Sequence, residues 1–449
     1  MTSASGGAEG AAAAATAPPS SSSSTQSTLK ITTWNVLCPA YKRLGGDPSA
    51  REAHDEELWR ARLASQLDAM LESDSDVLCV QEAWLANEGA RALLVGGLEA
   101  GGYACVETPR TGGRDDGLLC AVRRGRAEVV DSSSVLFRDC GDRVAQLLRV
   151  QTAAGGQFLL INCHLLFPHN PNSTLIRLRE TFKLLEALQA YRDAVEGAEA
   201  LPVVACGDWN GSLRGRVSRF LRSQGFVACV DEQACDEDKY ISHRNHHGEL
   251  VGCDNVFLLN PSSARESLTA DWRRAVFAMM EAKIVELMGV STTEKAFQLF
   301  DANSNSLLEA DEMRALVDRL GLTGEGTIGL MPSEVEELVE TMDSTRRGAV
   351  SLSDFSSWID VESFSQAYGR VRSATEIWEE DGWDPQVDIS TARAAPACAA
   401  FARSPAPGGA AGEMVPLAVE VEECALDGSW PKGFDLSDHV MVSASLCFS

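Results

Sequence analysis

Two rhythms of apolar residues alternate along the first part of the chain. Short apolar runs, LKITTWNVL, DVLCVQEAW, DGLLCAVRRG, RVAQLLRVQT, QFLLINCHLL, LPVVACGDWNGS and LVGCDNVFLLN, read as strands. Between them, EELWRARLASQLDAMLES, TLIRLRETFKLLEALQAYRDAV and the shorter RVSRFLRSQGF repeat their apolar positions at helical spacing. Many short strands with interspersed helices predict a layered α/β or α+β domain.

The pattern changes near residue 270. Residues 271–365 are helical in spacing, acidic and free of strand runs. A loose stretch, RAAPACAAFARSPAPGGAAGE, follows, and strands return with MVPLAVEVEEC and HVMVSASL. Those last strands have no other sheet to join, so the helical block reads as an insertion. The expected division is a tail over 1–28, a first domain part over 29–268, the insertion over 269–365, a linker over 366–414 and closing strands over 415–449.

Charge sharpens this division. The 449-residue chain has a net charge of −26, and residues 294–388 hold 21 acidic against 7 basic side chains. Such a chain does not attract phosphate backbones non-specifically. A polyanionic substrate would need metal ions or a local basic cluster to reverse the field. The 13 cysteines are scattered and form no CxxC pair, which excludes a zinc-ribbon pattern and fits a reducing, intracellular and most simply cytoplasmic setting. No apolar run approaches the roughly 20 residues of a membrane span. The tail has no basic residue before Lys30 and reads as disordered, a composition also compatible with plastid targeting.

Polar residues end or interrupt several of the apolar strands: Asn35, Glu82, His164, Asp208 with Asn210, Asp254, and Asp438 with His439. Singly, each is an ordinary turn former or core residue. Together they bring four carboxylates to one edge if the strands pair in one sandwich, and a cation or proton must then offset their repulsion. Phosphate-ester hydrolysis needs such a set: a hard cation on oxygen ligands, a carboxylate for water, and donors for the developing charge. Along an extended chain Asp208 and Asn210 point to one side. Arg214, Arg216, Arg219 and Arg222 read as a solvated helix face, with Arg214 near enough to touch a phosphate. Arg244 with His243, His246 and His247 reads as a polar loop that could line the cleft.

In order, TWNVLCPAY, DVLCVQEAW, INCHLLFP, VVACGDWNG, GCDNVF and LSDH resemble the motifs of the endonuclease/exonuclease/phosphatase superfamily. NVLCPAY is most similar to deadenylases and nocturnin; HLLFPHNP, GDWNGSLRG and ISHRNHHG resemble a plant and algal group that also carries EF-hands. The resemblance implies a four-layered sandwich of the deoxyribonuclease-I-like type. It implies Mg²⁺ (or Mn²⁺) at Glu82 with Asn35 beside it and Asp438 assisting. Asp208 would position the attacking water and Asn210 would serve as a transition-state donor. His164 would contact the phosphate, and His439, held by Asp254, would stand beside the scissile bond.

The acidic block contains its own metal pattern. DANSNSLLEADE, residues 301–312, fits a calcium loop, with Asp301, Asn303, Asn305, Leu307, Glu309 and Glu312 at the ligand positions. Ser306 stands where the sharp turn usually has Gly. A second loop, DSTRRGAVSLSD at 343–354, carries Arg347 at a ligand position and Asp354 in place of the long Glu, and is expected to pack without binding Ca²⁺. Leu308 and Val350 are expected to pair between the loops. The combined expectation is a monomeric metal-dependent phosphodiesterase acting on RNA or another nucleotide, with an EF-hand pair inserted. The alternatives are a phosphomonoesterase for a small metabolite and a non-catalytic calcium-responsive scaffold.

Overall fold

The computed structural model describes residues 28–45, 49–138, 140–167, 173–213, 215–230, 240–244, 250–324, 327–366, 412–421 and 436–448. Arg214, His246, His247, the tail up to residue 27 and most of the 366–414 linker lie outside them.

The chain opens with β1 (Thr28–Asn35), α1 (Glu56–Glu72), β2 (Val77–Ala83), α2 (Glu88–Ala100), β3 (Tyr103–Pro109) and β4 (Gly117–Arg123). It continues through β5 (Ala127–Leu136), β6 (Val144–Thr152), β7 (Gln157–His164), α3 (Ser173–Ala194), β8 (Val203–Asp208) and α4 (Arg216–Ser223). Next come β9 (Val227–Ala228), β10 (His243–Arg244), β11 (Leu250–Val251) and β12 (Asp254–Leu259). The helical block holds α5 (Leu268–Met288), α6 (Thr293–Phe300), β13 (Leu307–Glu309), α7 (Ala310–Arg319), α8 (Pro332–Met342), β14 (Ala349–Ser351) and α9 (Leu352–Trp358). The chain ends with β15 (Met414–Val421) and β16 (Val442–Phe448).

Two six-stranded mixed sheets result, in the orders β15-β16-β1-β2-β4-β3 and β5-β6-β7-β8-β12-β9. β1 runs parallel to β2, and β7 parallel to β8. The alternation of side chains explains the layers. Ile31, Val77, Cys79 and Cys120 of the first sheet join residues of the second sheet in one buried cluster, which also takes in Leu178 and Phe182 of α3. Trp34, Leu78, Val80 and Leu119 point the other way, onto Trp59, Leu63 and Leu94 of α1 and α2. β16 pairs antiparallel with β1 across nearly the whole length of the sequence.

Three elements escape the apolar pattern. α2 carries Gly97, where a Cβ would lie 2.2 Å from Leu67 of α1, so the glycine that dilutes the helical signal is what lets the helices touch. β3 is mostly half-buried, and β5, an edge strand with three serines, has little apolar contrast. Arg216 was expected on a solvated face but is buried. α4 is wedged beside Leu178 of α3 and Ala275 of α5, and Arg222 donates to the Leu213 carbonyl (2.9 Å).

The helical block docks on α3. Trp272 of α5 stacks on Phe182 with centroids 4.5 Å apart, and the Arg179 guanidinium lies 5.0 Å over the indole. Arg179 also forms a two-point ion pair with Glu334 of α8 (2.6 and 2.7 Å). Within the block β13 and β14 pair with Leu308 opposite Val350, as the spacing of the two loops predicts. No helix among the described residues is long and apolar enough to cross a membrane, and all ten described cysteines are free.

Candidate active site

One end of the sandwich collects the polar strand ends. β7 and β8 are parallel and in register so that His164 lies beside Asp208, and antiparallel β12 places Asp254 opposite Asp208 on its other side. Gly207 makes this approach possible: its φ is +149°, and a Cβ there would lie 1.9 Å from the Cys163 carbonyl oxygen. The first sheet supplies Asn35 and Glu82 from the ends of adjacent parallel strands. Asp438 and His439 arrive just before β16. Their loop is fastened by Trp34 Nε1 on the His439 carbonyl (3.0 Å), while Arg62 joins the Val36 and Leu436 carbonyls (2.8 and 2.9 Å).

Asp208 is the centre of the arrangement. Its Oδ2 accepts from Asn35 Nδ2 (2.9 Å) and faces Nε2 of both His164 (3.4 Å) and His439 (3.8 Å). Asn35 Nδ2 also reaches Glu82 Oε1 (3.3 Å), and the Cys38 amide donates to Glu82 Oε2 (2.9 Å). Asp254 Oδ2 is 2.8 Å from His439 Nδ1 and accepts from Ser242 Oγ (2.8 Å), while its Oδ1 is buried without a partner. Arg143 Nη1 lies 2.8 Å from His164 Nδ1.

Burial sets the charges. It raises Glu82 to about 7, with Asp116 adding repulsion, and raises Asp208 to about 6, with Asp254 adding repulsion. Asp438 is raised by the same desolvation. For His439 burial opposes protonation, but Asp254 and Asp208 outweigh it and lift the imidazole to about 10. His164 has the opposite surroundings: burial and then the Arg143 charge hold it well below its ordinary value.

The backbone at the site corrects one expectation. Asp208 and Asn210 do not alternate along an extended chain, because the strand ends at Asp208 and Asn210 turns left-handed at φ +48°. The Asn210 amide then donates to Asp208 Oδ1 (2.9 Å), and its side chain donates to the Leu165 carbonyl (3.0 Å). Asn tolerates this conformation because its short side chain bonds locally. Glu82 is also left-handed, at φ +58° beside a bulge in the β2–β4 ladder. Strain on the order of 1 kcal/mol or more at such residues concentrates at functional sites.

Several residues at the site are ones that strand-end reasoning did not single out. Arg143 precedes β6 and carries no motif. Glu180, on α3, is fully buried, accepts from the Leu166 amide (2.8 Å), and is raised to about 7 by burial. Ser242 and Cys253 surround Asp254, and His243 stacks on His439 with centroids 3.9 Å apart. Potential ligand atoms of Asp208, Cys253, Asp254 and His439 lie within 4.8 Å of one another, as do those of His243, Asp438 and His439. His243 therefore belongs to the cleft, while Arg244 follows it in β10.

The loop at 301–312 gathers its polar side chains in the same way. Asn303 and Asn305 donate to Glu309 (3.2 and 2.6 Å), and Asp301 Oδ2 accepts from the Ser306 amide (2.9 Å). Glu312 accepts from the Ala302 and Glu309 amides (2.9 and 3.2 Å), and Leu307 opens β13. Ser306 has φ +65°.

The profile of the Endonuclease/Exonuclease/phosphatase family matches residues 32–447. An uncharacterized calcium-binding protein of Arabidopsis thaliana is 33% identical over 433 residues, covering 93% of this chain and 84% of that protein. Protein angel homolog 2 of Homo sapiens is 30% identical over 162 residues, covering 34% of this chain and 29% of that protein. Among solved structures, ANGEL2, a 2',3'-cyclic phosphatase, aligns with 52% of this chain and 83% of its own at 18% identity and a TM-score of 0.43. The human nocturnin catalytic domain with bound sulfate aligns with 51% and 81% at 19% identity and a TM-score of 0.40.

Proposed function

From its membership of the endonuclease/exonuclease/phosphatase family, to which this chain belongs, a family of phosphoester hydrolases, we propose a Mg²⁺-dependent phosphodiesterase with a calcium-binding module. The observation that carries this reading is the convergence on Asp208 Oδ2 of Asn35 and two imidazoles, each from a different strand end. Phosphoryl transfer needs this combination of a water-handling carboxylate and preorganised donors.

Asp208, raised by burial and by the neighbouring Asp254, orients the attacking water and in its ionised form deprotonates it. His439, charged and held by Asp254, stabilises the anionic oxygens and protonates the leaving group. His164 and Asn210 donate to the phosphoryl oxygens. The donor set fits a hard cation: Glu82 and Asp438 are buried carboxylates whose repulsion and desolvation a divalent ion would relieve. When bound there, Mg²⁺ (or Mn²⁺) supplies charge neutralisation at the phosphate. Asn35, whose amide nitrogen faces both Glu82 and Asp208, holds these carboxylates in place.

The substrate is RNA or another nucleotide, a reading supported by the deadenylase-like NVLCPAY. Residues 29–268 and 415–449 form the catalytic domain around an EF-hand pair at 269–365, with a linker over 366–414 and a tail over 1–28. Convergence of Asp301, Asn303, Asn305, Glu309 and Glu312, with the Leu308–Val350 pairing, supports Ca²⁺ at the first loop. The protein is proposed to act as a monomer in a reducing, intracellular setting, and the ten free thiols among the described residues fit the reducing part of that reading.

The test is turnover by the purified full chain with Mg²⁺ against poly(A), other oligonucleotides and small phosphate esters. Cleavage of a long polyanion should fall steeply with salt, because bound phosphates release counterions. Good turnover of a mononucleotide with a flat salt profile overturns the RNA reading. No hydrolysis of any phosphoester overturns the enzyme reading.

A further inference from the structure

We infer that Arg143 is a positioning residue that fixes the proton of His164 on Nε2, so that this ring is set as a one-sided donor toward Asp208. The inference rests on the catalytic reading of His164 above. It starts from donor chemistry: a guanidinium has donors and no acceptor. With Arg143 Nη1 2.8 Å from His164 Nδ1, that ring nitrogen must accept and cannot carry hydrogen. The one N–H of the neutral ring is then on Nε2, the atom facing Asp208 Oδ2.

His439 is built the other way. Its Nδ1 meets a carboxylate oxygen of Asp254, which accepts, so that nitrogen carries the hydrogen and the ring is oriented through it. One imidazole is backed by a cation and the other by an anion, while both aim Nε2 at the same oxygen. Under this arrangement His164 serves as a fixed neutral donor and does not exchange protons in turnover.

The setting of Arg143 favours this role over general support. The side chain is buried at 6% exposure, and its Nε has no hydrogen-bond partner. Among the described residues it forms no salt bridge, although Asp116, Glu82 and Glu180 act on it at longer range. Neighbouring Arg110 holds Asp116 and Asp142, so it leaves His164 to Arg143. The cavity beside Arg110, Arg143 and His164 is about 10 Å³, too small for more than one water. A buried charge bonded to a histidine nitrogen costs desolvation that a merely structural contact would not require.

The experiment is histidine ¹⁵N NMR on the full chain, with His164 assigned by its loss in His164→Gln, combined with kinetics on the substrate found above. Wild type should show a protonated Nε2 and a bare Nδ1 at His164, and a protonated Nδ1 at His439. Arg143→Gln should mix the His164 tautomers and lower kcat about 10-fold, with KM changed less than about twofold. Arg143→Lys, which keeps a donor-only cation, should keep the tautomer and recover most of kcat. Protonated Nδ1 at His164 in wild type overturns the inference, as does an Arg143→Gln protein that keeps both the Nε2 proton and its kcat. The NMR result is independent of turnover. If wild type hydrolyses no phosphoester but carries the Nε2 proton, the proton assignment stands and the catalytic reading alone falls.

Discussion

Carboxylates in the cleft and in the helical block respond in opposite directions to their surroundings. Glu82 and Asp208 are raised to about 7 and about 6, because burial removes more hydration than their few donors restore. Asp354 is held below the usual carboxylate range by the Ser344 and Ser351 hydroxyls, and Glu309 is lowered by its hydrogen bonds with Glu312 and Asn305. The difference is a lesson in preorganisation. In the cleft, strand ends from two sheets force like charges together, a repulsion that a bound cation would relieve. In the loops, nearby hydroxyl, side-chain amide and backbone donors already satisfy the carboxylates, so an ion would have to replace some of the bonds that each loop makes with itself.

The comparison breaks most visibly in the cleft. His439→Ala and Asp208→Asn should each lower turnover at least about 10²-fold while circular dichroism stays native, since each removes a transition-state role. Near-wild-type kcat in either variant removes that residue from the site. Glu82→Gln should act more narrowly, raising the Mg²⁺ concentration for half-maximal rate by about 10-fold because a charged oxygen ligand becomes neutral. An unchanged metal titration would take Glu82 off the ligand set.

Calcium sharpens the other side. The left-handed Ser306 costs on the order of 1 kcal/mol relative to Gly, and Arg347 places a cation in the second loop. Calorimetry should therefore give one site at about 10⁻⁵ to 10⁻⁴ M. Glu312→Gln should abolish it and Asp343→Ala should leave it. Two equal sites would refute the role given to Arg347, and no heat at all would refute the first loop.

The smallest effect is expected at Glu180, where the cleft's behaviour appears away from the proposed ligands. Its folded pKa, about 7, lies above the ordinary 4.5, so between those values the folded chain holds a proton that the unfolded chain has lost. Stability must therefore fall as pH rises through that window, by on the order of 1–3 kcal/mol. Glu180→Gln, which keeps an acceptor for the Leu166 amide, should flatten that part of the denaturation profile. An identical pH slope in the two proteins would show that Glu180 is charged in the fold.

The strands that build the cleft and the polar residues at their ends were legible in the chain, because alternation and turn chemistry act over a few residues. The gathering of polar side chains in the 301–312 loop was legible for the same reason, since those residues lie within twelve positions of one another. Tertiary structure alone decided the rest. It turned Asn210 and Glu82 left-handed and buried Arg216. It also set Arg143 against His164 across 21 positions, whereas the Asp254–His439 pair, 185 positions apart, is expected from the motif resemblance. Whether a histidine is backed by a carboxylate or a guanidinium depends on strand register, and no local pattern carries that information.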